Sequence, residues 1–236
     1  MSLAEETTGL SDEEIRRAIL DEMLAEAAFE GFTSQSLKEA AKASDIDPLA
    51  LEAGLARRLF PAGIADVLAY WSEEEDRAMV RAFDDLNPKP HGVTKRITWL
   101  IKERIMGLDW NREAARRAAA TLALPHNAPL GAKLVWDTAD TMWRAIDDAS
   151  TDFNWYTKRA SLSAIYTATL SRWFADDGAV AEEPYSKTWA FLDARIENLM
   201  QFEKAKGQLQ RRMPDISSLV GFFGRARYGS GKPPAE

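Results

Sequence analysis

Apolar residues recur at three- and four-residue spacing along almost the whole chain, and no stretch alternates strictly at two. The first spacing lines up one face of a helix; the second would line up one face of a strand. The pattern therefore predicts an all-α fold. Ser11 with Glu14 forms a capping box, and Ile15, Ile19, Met23 and Ala27 follow four apart as far as Gly31. A short helix is expected over 35–43. The Asp47–Pro48 pair reads as N-cap and first helical residue of a third helix over 48–59. Further helices are expected over 64–83, 93–105, 109–124, 130–146, 152–174 and 184–202. Pro125 stops one of them and opens a break running through Pro129.

The 236 residues are enough to bury a substantial core, and 46% of them are hydrophobic. Cysteine is absent, which excludes disulfides, thiolate metal sites and a thiol nucleophile. Histidine occurs only at His91 and His126. The longest uncharged run, 118–132, is broken by two prolines and is too short to span a bilayer. The first residues lack a basic, apolar or Arg-rich leader pattern. The expectation is an intracellular, water-soluble protein.

Charge is unevenly placed. Residues 1–60 carry 13 acids and 6 bases, whereas residues 201–236 carry 3 acids and 7 bases. The first three expected helices resemble the helix-turn-helix head of TetR-type regulators, with Phe32, Leu37, Ala40, Ala41, Ile46 and Phe60 in its apolar slots. DNA binding needs cations for phosphates and polar side chains for base edges. The would-be reading helix instead opens Asp47-Pro48-Leu49-Ala50-Leu51-Glu52. No nucleic-acid partner is expected, and a ligand-responsive TetR-type transcription regulator is kept as the alternative.

Three segments carry a more specific resemblance. They are Leu124-Pro125-His126-Asn127, then Asp140-Thr141-Met142-Trp143, then the run from Ser150 through Asp152, Trp155 and Tyr156 to Arg159. Together with Trp189-Ala190-Phe191-Leu192 they resemble the ubiquinone-biosynthesis accessory family, coenzyme Q biosynthesis protein nine. The resemblance covers roughly residues 60–228. It implies a TetR-like fold, a homodimer, and binding of isoprenoid quinone precursors that are presented to a membrane-associated di-iron hydroxylase. It also implies that the chain is not itself an enzyme. The leaderless start points to a bacterial member, peripheral on the inner face of the cytoplasmic membrane.

On this resemblance Met142, Asp152, Trp155 and Tyr156 form the hydroxylase-docking patch. Read alone, the adjacent Trp155 and Tyr156 point about 100° apart on a helix, which suits either a partner surface or a core capped by Asp152. Seven of the eight Trp fall between Trp99 and Trp189. With Leu134, Val135, Trp143, Leu162, Ile165, Leu170 and Phe174, these rings line either a prenyl-tail cavity or a solid core.

Beyond a basic linker over 203–214, Ile216, Leu219, Val220 and Phe223 form one apolar stripe, with Phe222 at its margin and Arg225 nearby. This is the pattern of an amphipathic membrane-surface helix over 215–228. The expected organisation is a head over 1–62, a lipid-binding and dimerisation domain over 63–202, the linker and that helix. No metal or cofactor is expected, because no Glu-x-x-His or Gly-rich phosphate loop occurs. Asp137, Asp140, Asp147 and Asp148 read as solvated surface, and His126 as a hydrogen-bonded structural histidine. An enzyme acting on an isoprenoid lipid is disfavoured for want of a catalytic constellation.

Overall fold

The computed structural model describes residues 10–148, 152–178 and 184–212, and for 152–154 and 202–212 the backbone only. Every regular element among them is helical. In order these are α1 (Asp12–Glu30), α2 (Ser34–Ala43), α3 (Pro48–Glu52), α4 (Leu55–Leu59), α5 (Ile64–Asp85), α6 (Val93–Met106), a 3₁₀ turn (Asp109–Asn111), α7 (Arg112–Leu122), α8 (Ala128–Ala145), α9 (Asp152–Ala175) and α10 (Ser186–Arg212). The chain divides into two units, Met1–Asp193 and Ala194–Glu236, with α10 running across the boundary. The expected membrane helix, with Ile216, Leu219, Val220, Phe222, Phe223 and Arg225, lies outside the described residues.

Local chemistry places the helix ends. Ser11 accepts from the Glu14 amide at 3.3 Å while Glu14 accepts from the Ser11 amide at 2.7 Å, closing the capping box. Asp47 caps α3 by accepting from the Leu49 amide. The single helix expected over 48–59 is two five-residue pieces. Gly54 sits between them at φ +91°, a left-handed conformation that glycine adopts without a Cβ penalty. Neither piece has the length of a helix laid in a major groove. The break expected through Pro129 ends sooner, since Pro129 lies in the first turn of α8, where its missing N–H costs no helical bond. The last helix continues ten residues past 202, so the stretch expected as linker is helical to Arg212.

In the first unit α1 packs on α2 and α7, α5 on α6 and α8, and α8 on α9. Ile15, Ile19, Leu20 and Met23 of α1 are buried within the head, and Leu100, Ile101 and Ile105 of α6 are fully buried. Two arginines of α7 close the end of α9. Arg112 donates to the carbonyls of Trp173 and Asp176, and Arg116 donates to that of Phe174 at 2.7 Å. A helix end leaves its last carbonyls short of backbone donors, and of these three the Trp173 carbonyl also accepts from the Asp176 amide at 3.1 Å. The Arg112 guanidinium also lies over the adjoining Trp173 and Tyr185 rings, 4.8 and 5.0 Å from their centroids.

Tyr70 on α5 is buried against the head and donates to Glu13 at 3.2 Å. Burial, helped by the Glu13 and Glu74 charges, pushes its phenol from 10 up to about 12. The unfolded chain releases this proton near 10 and the folded chain holds it, so stability falls as pH rises from about 10 to about 12. A phenolate-absorbance titration of the wild type, less that of Tyr70→Phe, is expected to give a midpoint near 12. A midpoint near 10 would place the ring in solvent.

Candidate functional site

A half-open cavity of about 400 Å³ lies among α5, α6, α7, α8 and α9, within the range of small-molecule sites. Small side chains make it. On α7, Ala115, Ala118 and Ala119 face inward at helical spacing, and on α8 Ala128, Gly131 and Ala132 do the same. Gly131 lets the two helices close, since a Cβ there would meet the Leu122 carbonyl oxygen at 3.2 Å. The opposite wall is a stripe on α9, with Tyr166, Leu170 and Phe174 four residues apart. Leu68 and Trp71 of α5 complete the apolar lining.

Of the residues expected to bind lipid, Leu134, Val135 and Phe174 line this cavity, and Trp143, Leu162 and Ile165 do not. Leu162 and Ile165 are buried in the packing of α9, and Trp143 is buried with the Lys158 ammonium 4.9 Å from its ring centroid. Of the two readings open for the tryptophans, cavity lining or solid core, most of the rings take the second. Trp99 packs on Phe83, Trp173 is fully buried beside Phe174, and Trp189 packs edge-on against Tyr185. Trp110 is 96% exposed. Only Trp71, outside the 99–189 cluster, contributes to the lining. Cavities form where side chains are small, and large rings close them.

One end of the cavity is polar. Arg104 of α6 and Asp76 of α5 form a buried ion pair, Nε to Oδ1 at 2.6 Å, with the side chains 4% and 9% exposed. Thr138 of α8 donates to both Asp76 oxygens at 3.0 Å. Glu75 accepts from the Trp71 indole at 3.0 Å. Burial pushes the Asp76 and Glu75 carboxyls up, with Arg104 pulling both the other way. Beyond Ser72 and Leu134, which it shares with the cavity, a polar groove of about 670 Å³ carries Glu73, Arg77, Arg81, Lys133 and Asp137.

A second feature is an aromatic platform on α8 and α9. Trp155 and Tyr156 meet edge to face at 4.8 Å, and Trp136 lies 5.8 and 6.4 Å from them. Tyr156 is 61% exposed, while Trp155 and Trp136 are half-buried. Arg159 fixes the platform from beneath. It is buried, its guanidinium carbon is 3.9 Å from the Trp155 ring centroid, and it pairs with Asp140 at 2.5 Å. Asp148 holds Lys158 at 2.6 Å. Asp140 and Asp148 are therefore not solvated surface as expected; Asp140 neutralises the Arg159 under Trp155, and Asp148 the Lys158 over Trp143.

Trp155 and Tyr156 stand together, but Met142 does not join them. It is fully buried, because Leu134, Thr138 and Met142 lie four apart on the core face of α8. A side chain without accessible surface cannot touch a partner, so Met142 is removed from the docking patch. The Asp152 backbone begins α9; its side chain lies outside the described residues. His126, expected as a hydrogen-bonded structural histidine, is exposed in the turn before α8. Among the described residues no cluster of metal-ligating side chains occurs, and no helix is long and apolar enough to cross a membrane.

The helices that carry the platform and one cavity wall also carry the likeness to known proteins. Residues 128–203, from the first residue of α8 into α10, match the COQ9 family model. The chain is similar to the COQ9 family. The human ubiquinone biosynthesis protein COQ9, mitochondrial, is 39% identical over 94 residues, which is 40% of this chain and 28% of that protein. The COQ9 proteins of Xenopus tropicalis and of fission yeast, Schizosaccharomyces pombe, are each 28% identical over longer stretches. The first covers 83% of this chain and 61% of the relative, the second 76% and 68%. The chain thus spans less than a third of the human COQ9 it matches. These three relatives are eukaryotic mitochondrial proteins by name. The expectations of a bacterial member and of a cytoplasmic-membrane location therefore rest on the sequence reading alone.

Proposed function

We propose that this chain is a lipid-binding accessory protein of ubiquinone biosynthesis. It takes the apolar tail of an isoprenoid quinone precursor into the cavity and presents it to a membrane-associated di-iron hydroxylase docked at Trp155 and Tyr156. The similarity to COQ9 proteins supports the ubiquinone part of this reading. The carrying observation for the lipid part is the small-residue cavity, whose lining is mostly apolar, with Arg104, Ser72 and Thr138 among its polar residues. The chain acts by binding and not as the catalyst. It works as a homodimer at a membrane surface, reached through the apolar stripe from Ile216 to Phe223.

Lipid extracted from the natively purified protein and identified by mass spectrometry tests the cargo. Isoprenoid quinones or their precursors, enriched over bulk phospholipid, are the expected result. An empty protein, or one carrying only host phospholipid, would remove the lipid reading. The docking surface is tested separately. Trp155→Lys should weaken hydroxylase binding at least tenfold, since a truncated aromatic hot spot costs about 2 kcal/mol or more. Lipid content should be unchanged, because Trp155 does not line the cavity, and the melting temperature should fall by only a few degrees, because the lost ring packs on Arg159 yet is half-buried. Unchanged hydroxylase affinity would move the docking surface elsewhere.

A further inference from the structure

We infer that the Arg104 end of the cavity is a head-group site for a neutral oxygen acceptor (a carbonyl, ether or hydroxyl oxygen) on the amphiphile whose tail fills the cavity. This rests on the lipid-binding reading and adds to it the chemistry of the ligand's polar end.

Arg104 is a lining residue of the cavity and is 4% exposed. Its Nε is taken by Asp76 at 2.6 Å, and Nη2 reaches the Ser72 carbonyl and hydroxyl at 3.4 Å. Its Nη1 is buried without a hydrogen-bond partner. A buried donor on a charged group is costly to leave unsatisfied. Five other buried polar atoms among the described residues also lack hydrogen-bond partners, on Arg16, Arg112, Trp143, Ser163 and Trp173. None of those residues lines the cavity. Arg104 is therefore the place where a missing acceptor and open volume coincide.

Charge selects the kind of acceptor. The guanidinium already faces the Asp76 carboxylate, and Glu75 interacts with it too. Burial raises both carboxyls, so the pocket already resists the negative charge it holds. A further anion would be repelled by the same groups, and a cation would meet Arg104 itself. A neutral acceptor takes the Nη1 hydrogen without adding charge. Direction follows as well. Arg104, Thr138 and Tyr166 are buried, whereas Ala123, Ala128, Ala132, Thr167 and Ser171 of the lining are exposed, so Arg104 stands at the closed end of the cavity and the mouth lies on the α7–α9 side. An amphiphile seats with its head at Arg104 and its tail along α7.

The test is calorimetric titration of the lipid-stripped full chain with three probes of one chain length: octane, methyl hexyl ketone and octanoate. The ketone should bind about tenfold more tightly than octane, the worth of one hydrogen bond to a charged donor. Arg104→Lys keeps a cation opposite Asp76 but lacks Nη1. It should erase the ketone's advantage and leave octane affinity unchanged. Should that variant fail to fold, the apolar pair Asp76→Leu with Arg104→Met removes both charges together and should likewise bind octane without preferring the ketone. Equal affinity of wild type for octane and ketone would overturn the head-group site while leaving the cavity standing. Tighter binding of octanoate would overturn the neutral class. A ketone preference that survives in the variants would overturn the assignment to Arg104. Failure of all three probes to bind would sink the lipid cavity, and this inference with it.

Discussion

The Ala118→Phe protein is expected to fold and to purify empty. Ala118 is buried on the cavity face of α7, flanked along the lining by Ala115 and Ala119. A phenyl ring there projects into open volume, so burial of the ring contributes up to about 3 kcal/mol where it fits. Overpacking against Leu170 or Phe174 costs about 1–3 kcal/mol. The two nearly cancel, and stability should stay within about 2 kcal/mol of wild type. Ligand volume does not cancel, because the ring occupies the space the tail needs. Lipid recovered from the purified variant should fall at least tenfold, and octane should no longer titrate. Ala120→Phe is the control, since Ala120 is exposed on the other side of α7 and does not line the cavity. It should load normally. Lipid retained by Ala118→Phe at wild-type level would mean that the tail binds elsewhere.

The helices were legible in the sequence because their signals are local. The Ser11–Glu14 box, the Asp47–Pro48 pair and the four-residue apolar spacing from Ile15 act within a turn or two of chain. The break at Gly54 was less legible. A glycine inside a helical pattern costs only about 1 kcal/mol, and nothing local says whether it will bend the chain. Cavity and solid core stay indistinguishable in the sequence for a different reason. A space between helices depends on what faces what across α7, α8 and α9, and the signal is smallness: Ala115, Ala118, Ala119 and Gly131. Attention to large rings pointed to residues that fill volume. The platform was half visible. Trp155 and Tyr156 were found by their residue types; Trp136 lies four residues before Asp140, and Asp140 holds the Arg159 that supports Trp155. That chain of contacts crosses two helices and could not be read from one. Asp76 and Arg104 did leave a trace, each a charge set in a buried apolar stripe, between Trp71 and Met79 and between Ile101 and Ile105. Such a charge needs a partner on a facing helix.

That pair carries the largest stability effect expected in the molecule. Asp76→Ala leaves the Arg104 guanidinium buried with its principal partner gone and takes the acceptor from Thr138 as well. The cost should be about 3–5 kcal/mol, read as a fall in the urea midpoint. Replacing both members, Asp76→Leu with Arg104→Met, should recover most of that loss, because desolvating two charges offsets much of their attraction. The acid side gives an independent check. Burial holds the Asp76 carboxyl above its ordinary 3.8 in the fold, so the unfolded chain gives up this proton first as pH rises. The group's contribution to stability therefore declines from about that value up to the raised one, and Asp76→Asn should flatten this part of the pH profile. If the apolar double variant is as stable as wild type yet has lost its preference for a carbonyl-bearing probe, stability does not account for the pair. Its retention then follows from the ligand it orients, since an apolar substitute would hold the helices equally well and recognise nothing.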